Sequence, residues 1–257
     1  MQSYLMKDLG VPEDHICILT DSAATRRGIL DALYRHLLEN PRIKRGDAII
    51  FHFSGHGSSY EASEVWPGAI GSIEALCPVD RSVGCQIADI SDREIFSIMS
   101  DLRAAKGDNI TLILDCCHSA GIPRDLASHR NKIRAAAPLP GLLGCMLEAA
   151  AKNRSRSHYS IFHSDFWKPD MTTFVVLAAC QDFELAWETS TYTGQFTSAL
   201  IMGLKSLPLS TTTYGELIRH IGPLPNPDAP RQHPVAFGSR VNNLLFNLPP
   251  VNYTTRV

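Results

Sequence analysis

Two short segments carry side chains able to do covalent chemistry. Phe53-Ser54-Gly55-His56-Gly57 presents an imidazole between two glycines, and Leu114-Asp115-Cys116-Cys117-His118-Ser119-Ala120-Gly121 presents two thiols behind a carboxylate. A thiol of ordinary pKa ~8.5 is mostly protonated at neutral pH. An imidazole that takes its proton leaves a thiolate able to attack an acyl carbon. With 7 Cys and 10 His in the chain, a Cys/His pair means nothing by count; the information lies in placement at the ends of two apolar runs. The glycines beside His56 admit close approach by another backbone. The amides of Gly57 and Cys117 are candidate oxyanion donors, each typically worth ~3 kcal/mol in a transition state. A zinc site from Cys116, Cys117, His118 and His56 is the competing use, but adjacent ligands lack the usual spacing. His118, next to the thiols in sequence, is expected to point away from the pocket.

The elements that must hold these residues alternate between strand-like and helix-like patterns. His15 to Leu19 reads as a short buried strand, followed by a helix from about Thr25 to Glu39 with Ile29, Leu30, Leu33, Leu37 and Leu38 on one face. Ala48 to Phe53 is an apolar run suited to burial on both faces of a parallel sheet. Ser91-Asp92-Arg93-Glu94 is a capping box, the stripe Ile95, Ile98, Met99 and Leu102 follows, and Gly107 closes that helix. Ile110 to Leu114 is a second buried strand. Strands over Thr173–Ala179 and Asn243–Phe246 and helices over Phe196–Leu207 and Tyr214–Ile221 complete the pattern, the last behind the box Thr213/Glu216. Such alternation predicts one α/β domain over residues 1–257, with a mostly parallel sheet between helical layers. In such sheets ligands sit beyond the carboxyl ends of the strands, where both reactive segments emerge. From 121 to 170 the periodicity breaks down into an irregular, basic insertion.

The chain has 24 Lys+Arg against 26 Asp+Glu and 44% hydrophobic residues over 257 positions. That balance argues against general nucleic-acid binding and against disorder. No apolar run approaches the ~18 residues needed to span a bilayer, and the first twenty residues lack a secretory signal pattern. The odd cysteine count and the absence of any C-x-x-C pair predict mostly buried thiols in a reducing, cytoplasmic setting. The sequons at Asn109, Asn153 and Asn252 are then expected to stay unmodified. No cofactor, nucleic-acid partner or membrane partner is expected, and oligomeric state is left open.

Taken with Leu19-Thr20-Asp21, Ala24-Thr25-Arg26, Cys77-Pro78-Val79-Asp80 and Ala178-Ala179-Cys180-Gln181, the two reactive segments resemble the caspase-like peptidases (peptidase C14), the metacaspase branch in particular. The resemblance implies a caspase-like three-layer α/β/α fold and a cysteine endopeptidase acting on protein or peptide substrates, with an association with programmed cell death. It makes His56 the general base and Cys117 the nucleophile, with Cys116 the runner-up. It implies cleavage after Arg or Lys, with Asp21, Ser54 and Asp115 at the substrate pocket; Glu184 resembles a pocket glutamate, with Asp182 beside it. The same preference makes the basic segment Arg124 to Arg156 a candidate self-cleavage region, with Arg130, Arg134, Arg154 and Arg156 expected to be exposed.

The chain also departs from the family pattern. The family's usual first apolar strand is lacking, Ala120 replaces a glycine, and Asp92-Arg93 stands where calcium-dependent members carry an Asp-Asp pair. A cation there argues against a hard-cation site, leaving Asp80, Asp89 and Asp125 as weak candidates. Two other functions compete. A caspase-like binding or scaffold domain would have no need of the His56/Cys117 pair. A nucleotide hydrolase would show a phosphate-binding glycine motif, and the chain has none.

Overall fold

The computed structural model describes residues 1–61, 72–84, 87–117, 132–153, 174–181, 183–191, 193–225 and 231–247. Its main sheet has the order β1-β5-β6-β7, from β1 (Ile49–Ser54), β5 (Ile110–Asp115), β6 (Val175–Ala178) and β7 (Val235–Phe237). The first two pairings are parallel and the last is antiparallel. A second, antiparallel sheet, β2-β3-β4, is formed by Gly57–Glu61, Ser72–Leu76 and Ile90–Ser91.

Strand alternation sorts side chains between two helical layers. On one face, Ile110, Leu112 and Val176 pack with α2 (Arg26–Asp31) and α3 (Asp92–Lys106) through Ile29, Ile98 and Leu102, and with Leu33 just past α2. On the other, Ile113, Val175 and Leu177 meet α5 (Gln195–Ser206) and α6 (Tyr214–Ile221) through Phe196, Leu200 and Leu217, with Tyr4 from α1 (Gln2–Lys7). The period of two in β5 and β6 thus serves two cores at once, which is why these strands read as continuous apolar runs. The result is the mostly parallel α/β/α architecture anticipated above.

Local signals hold at the helix starts. Thr25 accepts from the Gly28 N–H and Ser91 from the Glu94 N–H, so each opens its helix. Thr213 and Glu216 form a reciprocal capping box. Gly107 ends α3 at φ 93°, a conformation that L side chains resist. The second helix winds more loosely than expected, passing into π-type turns over Ala32–Leu38.

Three expectations are corrected. His15–Leu19 is not a buried strand: His15 closes a 3-10 turn, and residues 16–20 have no strand partner among the described residues, leaving Ile18 45% exposed. Apolar character cannot make a strand without a ladder, and β1 pairs only with β5 among the described residues. The last strand is Val235–Phe237 rather than Asn243–Phe246, because Leu245–Asn247 turns with Phe246 at φ 55°. The 121–170 segment is not irregular throughout, since Leu142–Asn153 forms α4, whose Leu142, Cys145 and Met146 pack with Tyr60 and Ile73. Cys17, Cys77, Cys116, Cys117 and Cys180 are free thiols. Cys145 is disulfide-bonded. Among the described residues no helix is long and apolar enough to cross a membrane.

Candidate active site

The parallel register of β1 and β5 sets Ser54 beside Asp115, so Ser-Gly-His-Gly and Asp-Cys-Cys leave the sheet side by side at its carboxyl edge. The chain turns through Gly55 and His56 into β2. Gly57 is buried where a Cβ would overlap the Cys117 carbonyl oxygen, so no larger residue fits without moving backbone. The two thiols face opposite ways after the strand. Cys116 joins the core under α2 and α3, while Cys117 joins the core under α5 and α6. Burial pushes the Cys116 thiol well above its ordinary range, and the neighbouring Cys117 and Asp115 add to that. Both thiols are fully buried, so the side of the sheet each faces, not exposure, separates them.

The Cys117 sulfur accepts the Ala186 N–H at 2.9 Å and lies 3.4 Å from the Ala186 oxygen. A side-chain hydrogen bond to Cys117, then burial, raises the Cys180 thiol. No hydrogen bond joins the Cys117 sulfur to the His56 ring, which is exposed at the edge of the cleft. Desolvation lowers the His56 pKa, Glu188 opposes that, and Arg134 and Arg81 reinforce it. At neutral pH the ring is therefore neutral, the form that can take a proton.

A buried arginine fills the pocket between these segments. The Arg134 side chain is 5% exposed. Its Nη1 donates to Ser54 Oγ at 2.8 Å and to the Asp115 carbonyl at 3.0 Å. Its Nε lies 3.9 Å from Asp115 Oδ1, and its Nη2 lies 3.5 Å from Glu188 Oε1. The other Asp115 oxygen accepts the Thr197 N–H at 2.9 Å and the Thr197 hydroxyl at 2.5 Å. Since that hydroxyl donates to Asp115, the His52 Nε2 lying 3.1 Å away donates to Thr197 in turn. Burial, then the N-terminal charge and Arg134, lower His52 to about 4, consistent with a neutral ring. Burial raises the Asp115 carboxyl, while Arg134 and the Thr197 hydrogen bonds pull it down. A Cβ at Gly194 would overlap that carboxylate, so the glycine is what admits it.

The backbone of Arg134 is equally specific. Its carbonyl oxygen accepts both the Gly57 N–H at 3.1 Å and the Cys117 N–H at 3.0 Å. Its own N–H donates to the Ala186 carbonyl at 3.0 Å. Two amides converging on one carbonyl oxygen beside a thiol form the donor arrangement that stabilises acyl-transfer oxyanions.

Residues 1–125 match the metacaspase, peptidase C14 domain family. Arabidopsis thaliana Metacaspase-3 is 28% identical over 230 residues, which cover 85% of this chain and 56% of that protein. Over these residues the chain is similar to the metacaspases. Metacaspase-1 of Schizosaccharomyces pombe is 32% identical over 130 residues, 47% of this chain and 28% of that protein. The chain thus spans about half or less of the length of these relatives. A crystallised protein from Geobacter sulfurreducens shares the fold at TM-score 0.52 and 22% identity, covering 85% of this chain and 75% of that one.

The metacaspase-like domain gathers some of the anticipated site residues and not others. Gly57, Cys117, Ser54 and Asp115 all contact Arg134. Asp21 does not: it is exposed in a 3-10 turn at φ 46° and makes no ion pair with Arg134. The unpaired segment before Asp21 explains this, because no ladder holds the turn at the sheet edge. Glu184 is taken by His233, whose Nδ1 lies 2.5 Å from Oε1 and whose N–H lies 2.9 Å from Oε2. Asp182 lies outside the described residues. Sequence reasoning missed Glu188, Ala186, Thr197 and Gly194; Gly194 at the start of α5, near a hydroxyl, was the only local hint. Arg134 is buried, not exposed as expected, and Arg130, Arg154 and Arg156 lie outside the described residues.

Proposed function

We propose that this metacaspase-like domain is a cysteine endopeptidase that cleaves after arginine, with lysine the weaker substrate. The observation that carries the reading is Arg134: its guanidinium lies among Ser54, Asp115 and Glu188 while its carbonyl oxygen sits between the Gly57 and Cys117 amides. A guanidinium is always charged and presents a planar fork of donors, which matches several acceptors spread around it. An ammonium is a point charge and engages fewer of them.

In this reading a substrate arginine takes the same position. Neutral His56 accepts the Cys117 proton as the thiol turns from Ala186 toward the scissile carbon. The sulfur adds to that carbon, and the developing O⁻ is held by the Gly57 and Cys117 N–H groups. The His56 proton then passes to the leaving amine, and water releases the acyl group from Cys117 by the reverse sequence. The filled cleft favours a second reading, a caspase-like binding domain that hydrolyses little.

A positional-scanning library of fluorogenic peptides separates the two. Expected are hydrolysis after arginine above lysine, essentially complete loss in Cys117→Ala and in His56→Ala, and retention of most activity in Cys116→Ala. Preference for aspartate at the cleaved position refutes the acidic pocket, and loss in the Cys116 variant alone refutes the nucleophile assignment. Absence of any hydrolysis leaves the binding-domain reading.

A further inference from the structure

What occupies the cleft is a stretch of the chain itself, bound as an added strand. The Glu188 N–H donates to the Lys132 carbonyl at 2.8 Å and the Arg134 N–H to the Ala186 carbonyl at 3.0 Å, with Ile133 opposite Trp187 in an antiparallel bridge. Past the pocket the pairing passes to the other wall, where the Ala136 N–H donates to the Gly57 carbonyl at 2.8 Å in a parallel bridge. The following turn is also tied down. Arg81 reaches the Ala137 carbonyl at 3.2 Å, and the Leu139 N–H donates to the Tyr60 hydroxyl at 3.4 Å. Ile133 is 1% exposed, in the cluster that contains Cys117, Ala186 and Trp187. The whole set is what β-strand addition supplies to a peptide: main-chain hydrogen bonds for affinity and side-chain pockets for selection.

We propose that residues 132–136 are a built-in occupant of the substrate cleft: the resting domain is closed to external peptides by its own Arg134, and once freed the cleft takes an extended peptide with a branched apolar residue immediately before arginine. This rests on the reading of the cleft as a peptidase site and adds its regulation and its second subsite. The occupant is tethered, so it competes at a high effective concentration. An external peptide binds only the open fraction, and its apparent affinity falls by that fraction. Activation is then any event that draws the segment out.

The test uses the full chain carrying Cys117→Ala, so that binding is read without turnover. A fluorescein-labelled Lys-Ile-Arg-Ala-Ala peptide is titrated by anisotropy against this chain and against the same chain with Arg134→Gln added. Tenfold or greater tightening by Arg134→Gln is expected. Ala136→Pro removes the N–H given to Gly57 but leaves Arg134 in place, and should tighten binding in the same direction by a smaller factor. Equal affinity across the three chains overturns the occupant. A Lys-Asp-Arg-Ala-Ala peptide that binds the opened chain as tightly as the isoleucine peptide overturns the apolar subsite. Tightening by Arg134→Gln, with no hydrolysis of the isoleucine peptide by the thiol-bearing chain, supports the occupant and removes the peptidase reading.

Discussion

Glu188→Gln has an effect that depends on whether Arg134 holds the cleft. At 3.5 Å the Glu188–Arg134 pair has a Coulomb energy of roughly 5 kcal/mol at an effective dielectric of ~20. The Glu188 side chain is 21% exposed, so water compensates much of its loss. Between the ~0.2–1 kcal/mol of exposed pairs and the ~3–5 kcal/mol of buried ones, about 1.5 kcal/mol is expected, close to tenfold in binding. An external arginyl peptide loses that tenfold, but so does the internal Arg134. When the closed state dominates, kcat/KM varies as the open-site value divided by the closed-to-open ratio, and the two losses cancel. Glu188→Gln should therefore leave kcat/KM for an arginyl peptide within about twofold in the otherwise native chain. In the Arg134→Gln chain the same substitution should lower it about tenfold, mostly through KM. The assay is steady-state hydrolysis of an arginyl coumarin amide by the four chains of this double-mutant cycle. A tenfold loss in the native background refutes the competition, and no loss in the Arg134→Gln background refutes Glu188 as a reader of the guanidinium.

Two further outcomes test the electrostatics. Burial raises the Asp92 carboxyl to about 7, so the folded chain retains a proton that an unfolded aspartate of ordinary pKa ~3.9 has released. Stability should fall as pH rises from ~4 to ~7, by at most about 4 kcal/mol and by less given the partial exposure of Asp92; Asp92→Asn should flatten this slope in urea midpoints measured from pH 4 to 8, and parallel slopes would exclude it. Arginyl hydrolysis should survive chelation, because Arg81 Nε and Nη2 hold Asp89 at 2.8 and 2.6 Å with the Tyr60 hydroxyl at 2.6 Å, and Asp80 accepts the Arg26 N–H. A large loss in EDTA that only Ca²⁺ restores would overturn this.

The α/β pattern, the strands bearing the two reactive segments and the capping residues of two helices were legible in the sequence, because each rests on local periodicity or on contacts within one turn. Ile49–Ser54 and Ile110–Asp115 could be read as buried strands from their composition alone, and their reactive ends followed. Helix α4 was missed: Leu142, Met146 and Ala150 recur every fourth residue, but the flanking Pro138, Pro140 and basic residues masked that signal. That Ile16–Thr20 has no ladder partner among the described residues left no such trace, since an apolar run does not say whether a neighbour will be there to pair with it.

The pocket divides along the same line. Gly57, Cys117 and Asp115 sit within three residues of a strand end or turn, so strand register alone brings them together, and their residue types marked them as candidates. Which acids reach the guanidinium was a tertiary matter. Glu184 and Glu188 share one loop only four positions apart, yet one carboxylate meets His233 and the other Arg134. Nothing local distinguishes them. Likewise the sequence marked residues 121–170 as basic but not that Arg134 would lie with its carbonyl between two amides. A β-ladder is made of backbone groups that every residue carries, so what fills the cleft was decided only when the chain folded back on itself.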